Sequence, residues 1–318
     1  MAIVFVGDLH FRDQEPYHTA GIKFIEWFES QEFNREGNTL VQLGDVTHNS
    51  ILNGRIVRMF MNRFFKNLKF DMSYIIQGNH DVDNKSKSSI LEPLKDISGI
   101  EVVDQPCVIT IEGKEFLCLP HLMENMKKIY EDLYSYLELE GDPNRIVIGH
   151  IADESQTLFG KFIDLSYLKE KKRILGHVHK RMDNYLGTPF KQRYDERNEN
   201  NRILIMEGDE ISEIPTPSIV EFVTVKYGDD VIHSGMIPYI DVVEAPGVEP
   251  AHEMYEKFFI RKVSLKESDD SIFRYSEGSD SDEKTIIDYF NEFAEEKQLS
   301  EFESTKIIDK LNKVEVRQ

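Results

Sequence analysis

Six of the chain's ten histidines fall in five short segments, in company with Asp, Asn and Gly. The segments are Asp8-Leu9-His10, Gly44-Asp45-Val46-Thr47-His48, Gly78-Asn79-His80-Asp81, Gly149-His150 and Gly176-His177-Val178-His179. Carboxylate, amide and imidazole groups without a thiolate suit Mn²⁺, Fe²⁺ or Zn²⁺ better than a structural cysteine-rich zinc site. Two ions roughly 3.5–4 Å apart need about seven or eight ligand bonds, with one carboxylate shared. Asp8, His10, Asp45, Asn79, His150, His177 and His179 supply that number if one Asp bridges. Such a pair clamps a phosphoryl group, lowers the pKa of a water and stabilises charge on the attacking and leaving oxygens, so phosphoester hydrolysis is the expected chemistry. His80 directly follows Asn79, which places it beside the ions without making it a ligand. There it can stabilise the transition state or protonate the leaving oxygen.

Each segment needs an element to carry it, and each is preceded by a short apolar run ending in glycine: Ala2 to Gly7, Thr39 to Gly44, Tyr74 to Gly78, Arg145 to Gly149 and Arg173 to Gly176. Continuous apolar runs of this length read as strands buried on both faces, and open α/β sheets collect ligands at the carboxyl ends of their strands. A lone Asp-x-His or Gly-His is usually a capped turn, whereas five such elements in this order point to one crevice. His18, His121, His233 and His252 lie outside the segments and read as surface or hydrogen-bonded histidines. His121 comes after an apolar run and Pro120, which makes it the one to watch.

The 318 residues carry a formal net charge of −20, and positions 201 to 318 hold 27 acids against 13 bases. A chain this acidic does not hold nucleic acid by bulk electrostatics, so a polyanionic substrate must be met by local bases or metals. Lys180, Arg181, Lys191 and Arg193 are candidates for tracking phosphates, or ordinary loop charges. Cys107 and Cys118 are the only cysteines, too few for a disulfide framework, so a reducing compartment is expected. They lie symmetrically about Glu112-Gly113, so a two-residue hairpin turn there places them opposite each other. With no basic leader followed by an apolar stretch and no segment long enough to span a bilayer, the expectation is a soluble cytoplasmic protein that does not engage a membrane.

Residues 1 to about 190 alternate strand runs with amphipathic stretches, the pattern of βα units around a layered sheet. Ile22, Ile25 and Phe28 have helical spacing. Gly54 to Leu68 reads as a helix apolar on more than one stripe, which suits either a subunit interface or burial between the sheet and another helix of the same chain. Glu101 to Val103, Cys107 to Glu112 and Lys114 to Leu119 read as strands, and Met123 to Glu140 as one long helix. Met182 to Leu186 and Arg202 to Glu207 read as strands. A small strand-rich second domain comes next, and the tail beyond Ser279 shows two short amphipathic helical patterns.

The five quoted segments resemble the calcineurin-like metallophosphoesterase superfamily over residues 1 to 190. The Gly-His-Val-His ending, the His three residues after Asp45, and Tyr185-Leu186-Gly187-Thr188-Pro189 are similar to SbcD-type DNA repair nuclease subunits, phage-encoded ones in particular. The resemblance implies an α/β fold, a four-layer αββα sandwich over residues 1–204, with a small α+β capping domain over 205–278 and C-terminal partner-binding helices over 279–318. It puts Asp8, His10, Asp45 and His179 on one metal and Asp45, Asn79, His150 and His177 on the other, Asp45 being the bridge. It makes His80 the catalytic histidine and His48 its supporting partner near the phosphate.

The resemblance further implies two Mn²⁺ ions, 3′–5′ exonuclease and endonuclease action on DNA, and a role in recombination and repair. An SbcC-type coiled-coil ATPase would bind through the C-terminal helices, and a homodimer would form through helix 54–68, in the host cytoplasm if the chain is phage-encoded. The chain has no Gly-x-x-x-x-Gly-Lys-[Ser/Thr] loop, so ATP dependence would come from the partner. Loop Phe190 to Asn201 and the acidic region after it fall outside the resemblance. A general metallophosphatase or cyclic-nucleotide phosphodiesterase and a mainly architectural DNA-end-binding subunit are the alternatives.

Overall fold

The computed structural model describes residues 1–12, 17–48, 61, 63–83, 86–153, 163–193, 196, 199–226, 236–244 and 259–264. Two stacked sheets organise it. The first contains β1 (Ile3–Val6), β2 (Thr39–Gln42), β3 (Met72–Ile76), β6 (Ile100–Val103), β11 (Arg202–Glu207) and β12 (Glu210–Pro215), in the order β12-β11-β1-β2-β3-β6. Strands β1, β2, β3 and β6 run parallel, while β11 returns antiparallel to β1 with Ile3 opposite Met206. The second sheet has the order β10-β9-β8-β7, from β7 (Cys107–Ile111), β8 (Lys114–Leu119), β9 (Ile146–Gly149) and β10 (Arg173–Leu175). Within it β8, β9 and β10 are parallel. A short ribbon pairs β4 (Val82–Asp83) with β5 (Ser88–Ser89).

Strand periodicity sorts the side chains into three cores. Ile3, Phe5, Val41, Leu43 and Ile76 from the first sheet meet Phe116, Cys118, Ile146 and Ile148 from the second in the core between the sheets. Val4, Val6, Leu40 and Ile75 alternate to the other face. There they pack on helix α1 (Tyr17–Glu29), whose buried stripe is Ala20, Gly21, Phe24, Ile25 and Phe28. Leu117, Leu119 and Val147 alternate outward from the second sheet onto Tyr130 and Leu133 of the helical segments Met126–Glu131 and Leu133–Tyr136. Alternation with period two is what lets one strand serve two cores, and the layering is helix, sheet, sheet, helix, the αββα sandwich expected.

Two sequence readings change, and a third is described only in part. The helix expected over Met123 to Glu140 is two short ones. Asn125 is left-handed at φ 55°, delaying the start, and Asp132 at φ −134° and ψ 42° breaks the ladder. The strand expected over Met182 to Leu186 is reduced to isolated bridges from Tyr185 to Leu175 and Met182. The helix expected over Gly54 to Leu68 is described only at Met61 and from 63 onward, where Met61, Phe64 and Phe65 are buried against α1, with the Phe28 and Phe64 rings 5.2 Å apart. Its dimer role lies outside the described residues, as do the two C-terminal helices.

The first sheet runs on through β12 to Pro215. A three-stranded parallel sheet comes after it, β13 (Val220–Lys226), β14 (Ile237–Glu244) and β15 (Phe259–Ser264), in chain order. Glu112 and Gly113, both at positive φ, turn the β7–β8 hairpin and set Cys107 opposite Cys118, as the symmetric spacing requires. Both thiols are free.

Phe116 is fully buried between the sheets, its ring 6.2 Å from that of Phe5. Phe116→Ala is expected to cost about 3–5 kcal/mol of folding stability, from lost transfer energy plus the cavity left behind. The shift in the urea midpoint measures it, and a loss below about 1 kcal/mol would mean the two sheets do not depend on this contact.

Candidate metal centre

All five ligand-bearing segments leave the carboxyl ends of parallel strands, but from two different sheets. Strands β1, β2 and β3 deliver Asp8, His10, Asp45, His48, Asn79 and His80, and β9 and β10 deliver His150, His177 and His179. The turns are tightly built. Gly44 sits at φ 89°, and a Cβ there would run into the His150 ring. A Cβ on Gly78 would collide with the backbone N and Oδ1 of Asp45. Asp8, His10, Asp45 and His177 are themselves left-handed, at φ 26°, 43°, 53° and 83°. Left-handed backbone costs a non-glycine residue of order 1–3 kcal/mol and persists only where the surroundings over-determine it.

Hydrogen bonds supply that over-determination. The backbone N of His177 donates to Asp8 Oδ1 at 2.9 Å, and that of His80 donates to Asp45 Oδ1 at 2.8 Å. The backbone N of His10 donates to the Asp45 carbonyl at 2.9 Å, joining the β1 and β2 turns. Buried Asp81 accepts from the N–H groups of Thr47 at 3.1 Å and Gly78 at 3.0 Å, pinning the β2 turn to the β3 turn. Burial and the neighbouring Asp45 carboxylate raise the Asp81 pKa to about 7, although those two N–H groups favour its ionised form.

The nine residues nominated from sequence converge into overlapping groups. Asp8, His10 and His179 offer ligand atoms within 4.8 Å of one another, as do Asp45, His150 and His177. The Nε2 atoms of His10 and His179 face each other at 2.9 Å. Asn79 Oδ1 joins the second group, 3.1 Å from His150 Nε2 and 2.9 Å from His177 Nδ1. Asp45 Oδ2 touches both groups, 3.4 Å from His10 Nε2 and 3.2 Å from His150 Nε2. His10, His48 and His80 form a third cluster. There the His48 and His80 rings stack at 5.1 Å, and His80 Nδ1 donates to the His48 carbonyl at 2.6 Å.

These contacts ask for cations. His150 Nδ1 donates to the Leu43 carbonyl at 2.8 Å, so its neutral form would turn the Nε2 lone pair toward the oxygens of Asn79 and Asp45. A proton or a metal ion at Nε2 removes that repulsion. Asp8 Oδ2 is buried with no hydrogen-bond partner. A buried orphan carboxylate oxygen beside two facing imidazole nitrogens is what a divalent ion satisfies, so the donor set fits the metals expected from sequence.

Charge is set by the same geometry. Burial pushes the Asp8 pKa up to about 6, though His150 and His179 pull against it. Burial would raise Asp45 too, but His150 and His10 outweigh it and hold the carboxyl well below its usual range. Burial lowers His10 well below its ordinary value. Burial and the charge of His150 bring His177 down to about 3, and burial together with the Arg12 guanidinium brings His48 to about 4. Burial opposes charge on His150, yet Asp45, Asp8 and the Leu43 carbonyl push it to about 9.

Several supporting residues carried no signal in the sequence segments. Buried Glu196 accepts from His179 Nδ1 at 2.6 Å, and Gln192 Nε2 donates to the carbonyls of Asp8 at 2.9 Å and Leu9 at 3.2 Å. Arg12 lies 3.9 Å over the Tyr17 ring, next to the His48 cluster. Arg181, a candidate for tracking phosphates, is instead committed to the carbonyls of Met182 and Tyr185 and to Glu213, at 2.8 Å each. The backbone N of His121 donates to the carbonyl of Gln77, just past β3, and the His121 carbonyl accepts from Gln77 Nε2, both at 2.8 Å.

The sequence pattern of calcineurin-like phosphoesterases matches residues 1–181, the stretch that delivers all nine site residues. The chain belongs to that family. Membership carries metal-dependent phosphoester hydrolysis, with divalent cations at the His and Asp cluster. No curated protein matches this phosphoesterase in sequence. Among solved structures, a protein of unknown function from Aquifex aeolicus superposes at TM-score 0.30, with 18% identity over 57% of this chain and 82% of that one. The NAD nucleotidase of Haemophilus influenzae superposes at TM-score 0.33, with 11% identity over 72% of this chain and 51% of its own. Neither likeness bears on activity. No helix among the described residues is long and apolar enough to cross a membrane.

With a pKa of about 9, His150 of the metal-free phosphoesterase carries a proton at neutral pH. That proton contributes stability that is complete below pH 6.5, His150's ordinary value, and is lost as pH rises through about 9. A metal ion must displace it, so Mn²⁺ binding is expected to release protons and to weaken as pH falls below about 9. Calorimetric titrations in two buffers of different ionisation heat measure the release; identical heats in both would show that His150 is neutral before the ion arrives.

Proposed function

We propose that this phosphoesterase is the nuclease subunit of an SbcD-type repair complex, hydrolysing DNA phosphodiesters with two Mn²⁺ ions. Asp8, His10, Asp45 and His179 would hold one ion and Asp45, Asn79, His150 and His177 the other. Two such ions supply a water of lowered pKa and neutralise charge on the phosphoryl oxygens. The stacked His48 and His80 pair, clustered with His10 of the first group, is the observation that carries the reading. His80 Nδ1–H donates a hydrogen bond to the His48 carbonyl, which fixes the ring; protonated on both nitrogens, that ring has an Nε2 proton to pass to the leaving oxygen and keeps the Nδ1 one. His48, brought to about 4, is neutral at working pH, so it supports His80 without repelling it.

DNA as substrate is supported by the Gly-His-Val-His ending, the His48 spacing and the Tyr185 to Pro189 continuation. The SbcC-type ATPase partner and the homodimer are part of the same proposal, as are the capping domain over 205–278 and the partner-binding helices over 279–318. A phosphodiesterase acting on a small substrate is the second reading. It is favoured by Arg181 being tied to Glu213 in a chain of net charge −20, which leaves less cationic surface for a long polyanion.

Incubation with Mn²⁺ and end-labelled linear duplex DNA is expected to release nucleotides, and His80→Ala to slow that release about 10²–10⁴-fold with Mn²⁺ binding retained. Turnover of a nitrophenyl phosphodiester with none of DNA would select the small-substrate reading. DNA cleavage undiminished in both Asn79→Ala and His80→Ala would remove the site from the reaction altogether.

A further inference from the structure

The two halves of the metal centre are supported differently. On the His150 side, the supporting acceptor is a strand-end backbone carbonyl, that of Leu43, at 2.8 Å from Nδ1. On the His179 side it is a carboxylate. Glu196 is fully buried and aims Oε1 at His179 Nδ1 at 2.6 Å, while its Oε2 accepts from the backbone N of Gln192 at 2.6 Å and of Arg193 at 3.2 Å. Three N–H groups therefore converge on one carboxyl group, in the loop between β10 and β11 for which the sequence resemblance has no counterpart. The same loop is nailed to the rest of the site. Gln192 donates to the carbonyls of Asp8 and Leu9, and the buried Phe190 ring lies 5.2 Å from that of Phe24 in α1.

We infer that Glu196 is a positioning residue that makes the ion site of Asp8, His10 and His179 the tighter and separately tunable one of the pair. By accepting a hydrogen bond from Nδ1–H, the carboxylate commits His179 to the tautomer whose Nε2 lone pair faces His10 Nε2, with a carboxylate oxygen of Asp8 in the same group. A carboxylate partner also makes the imidazole a stronger donor than a carbonyl partner does, and loss of such an outer partner costs about 10–100-fold in metal affinity. Because Glu196, among the described residues, reaches the site through His179 and the loop backbone, its removal weakens one ion and spares the other.

The inference rests on the two-ion reading and is independent of DNA as substrate, so it is tested by ion binding alone. Mn²⁺ titration of the metal-free full chain, followed by calorimetry and by the paramagnetic resonance of free Mn²⁺, is expected to show two affinities. Glu196→Gln is expected to weaken the tighter one about 10–100-fold and leave the other within about twofold. In the unaltered protein, ¹⁵N-histidine spectra at a pH where His179 is neutral should show it protonated at Nδ1, with Nε2 shifting on the first equivalent of Zn²⁺. Equal weakening of both ions, no weakening of either, or an Nδ1-deprotonated His179 in the native protein overturns the assignment of Glu196. A native chain that binds no ion overturns it together with the two-ion reading.

Discussion

One buried carboxylate has to be shared by two clusters of imidazoles. Asp45 Oδ2 lies 3.4 Å from His10 Nε2 and 3.2 Å from His150 Nε2, while its Oδ1 accepts the backbone N–H of His80. Burying such a group costs several kcal/mol unless counter-charge and hydrogen bonds offset it. The surrounding structure answers this in layers: a proton on His150, N–H groups from neighbouring turns, and, in the active protein, divalent cations. Burial pushes Asp8 up to about 6 and Asp81 up to about 7, and the Asp45 carboxylate adds to both rises.

That sharing explains the stacking of two sheets. A single parallel sheet could line up Asp8, Asp45 and Asn79 along one edge, yet it could not place imidazoles on the opposite side of Asp45. The second sheet does so, with β9 and β10 bringing His150 and His177 across the interface. The core between the sheets, Phe5 and Val41 against Phe116 and Ile148, therefore works as the spacer that sets the distance between the two halves of the site. Gly44 and Gly78 serve the same end at atomic scale, since any side chain there would occupy the space of His150 or Asp45.

The arrangement also concentrates strain where chemistry happens. Four ligand-type residues adopt left-handed backbone, a conformation usually left to glycine, and each is held by bonds reaching to another segment. Strain of this kind pre-organises ligands, because the turns cannot relax without losing contacts in both sheets. A third support, among the described residues, is the buried Phe190 ring, the Gln192 amide and the Glu196 carboxyl group.

The sequence by itself determined the chemistry. Asp8, His10, Asp45, His48, Asn79, His80, His150, His177 and His179 are legible because each lies just past a strand-length apolar run, and the end of a strand aims the residues that come after it. The facing of Cys107 and Cys118 was legible for a similar local reason, symmetry about a turn. Only tertiary structure decided that the five strands divide three to two between sheets, because an apolar run states that a strand is buried and not which strand it pairs with. Tertiary structure also decided that the helix after Met123 breaks at Asp132, a local conformation that periodicity does not encode. It decided the role of Glu196 too. That carboxylate meets His179 across 17 residues of chain through a loop with no motif, and a hydrogen bond made by folding leaves no spacing in the sequence to read.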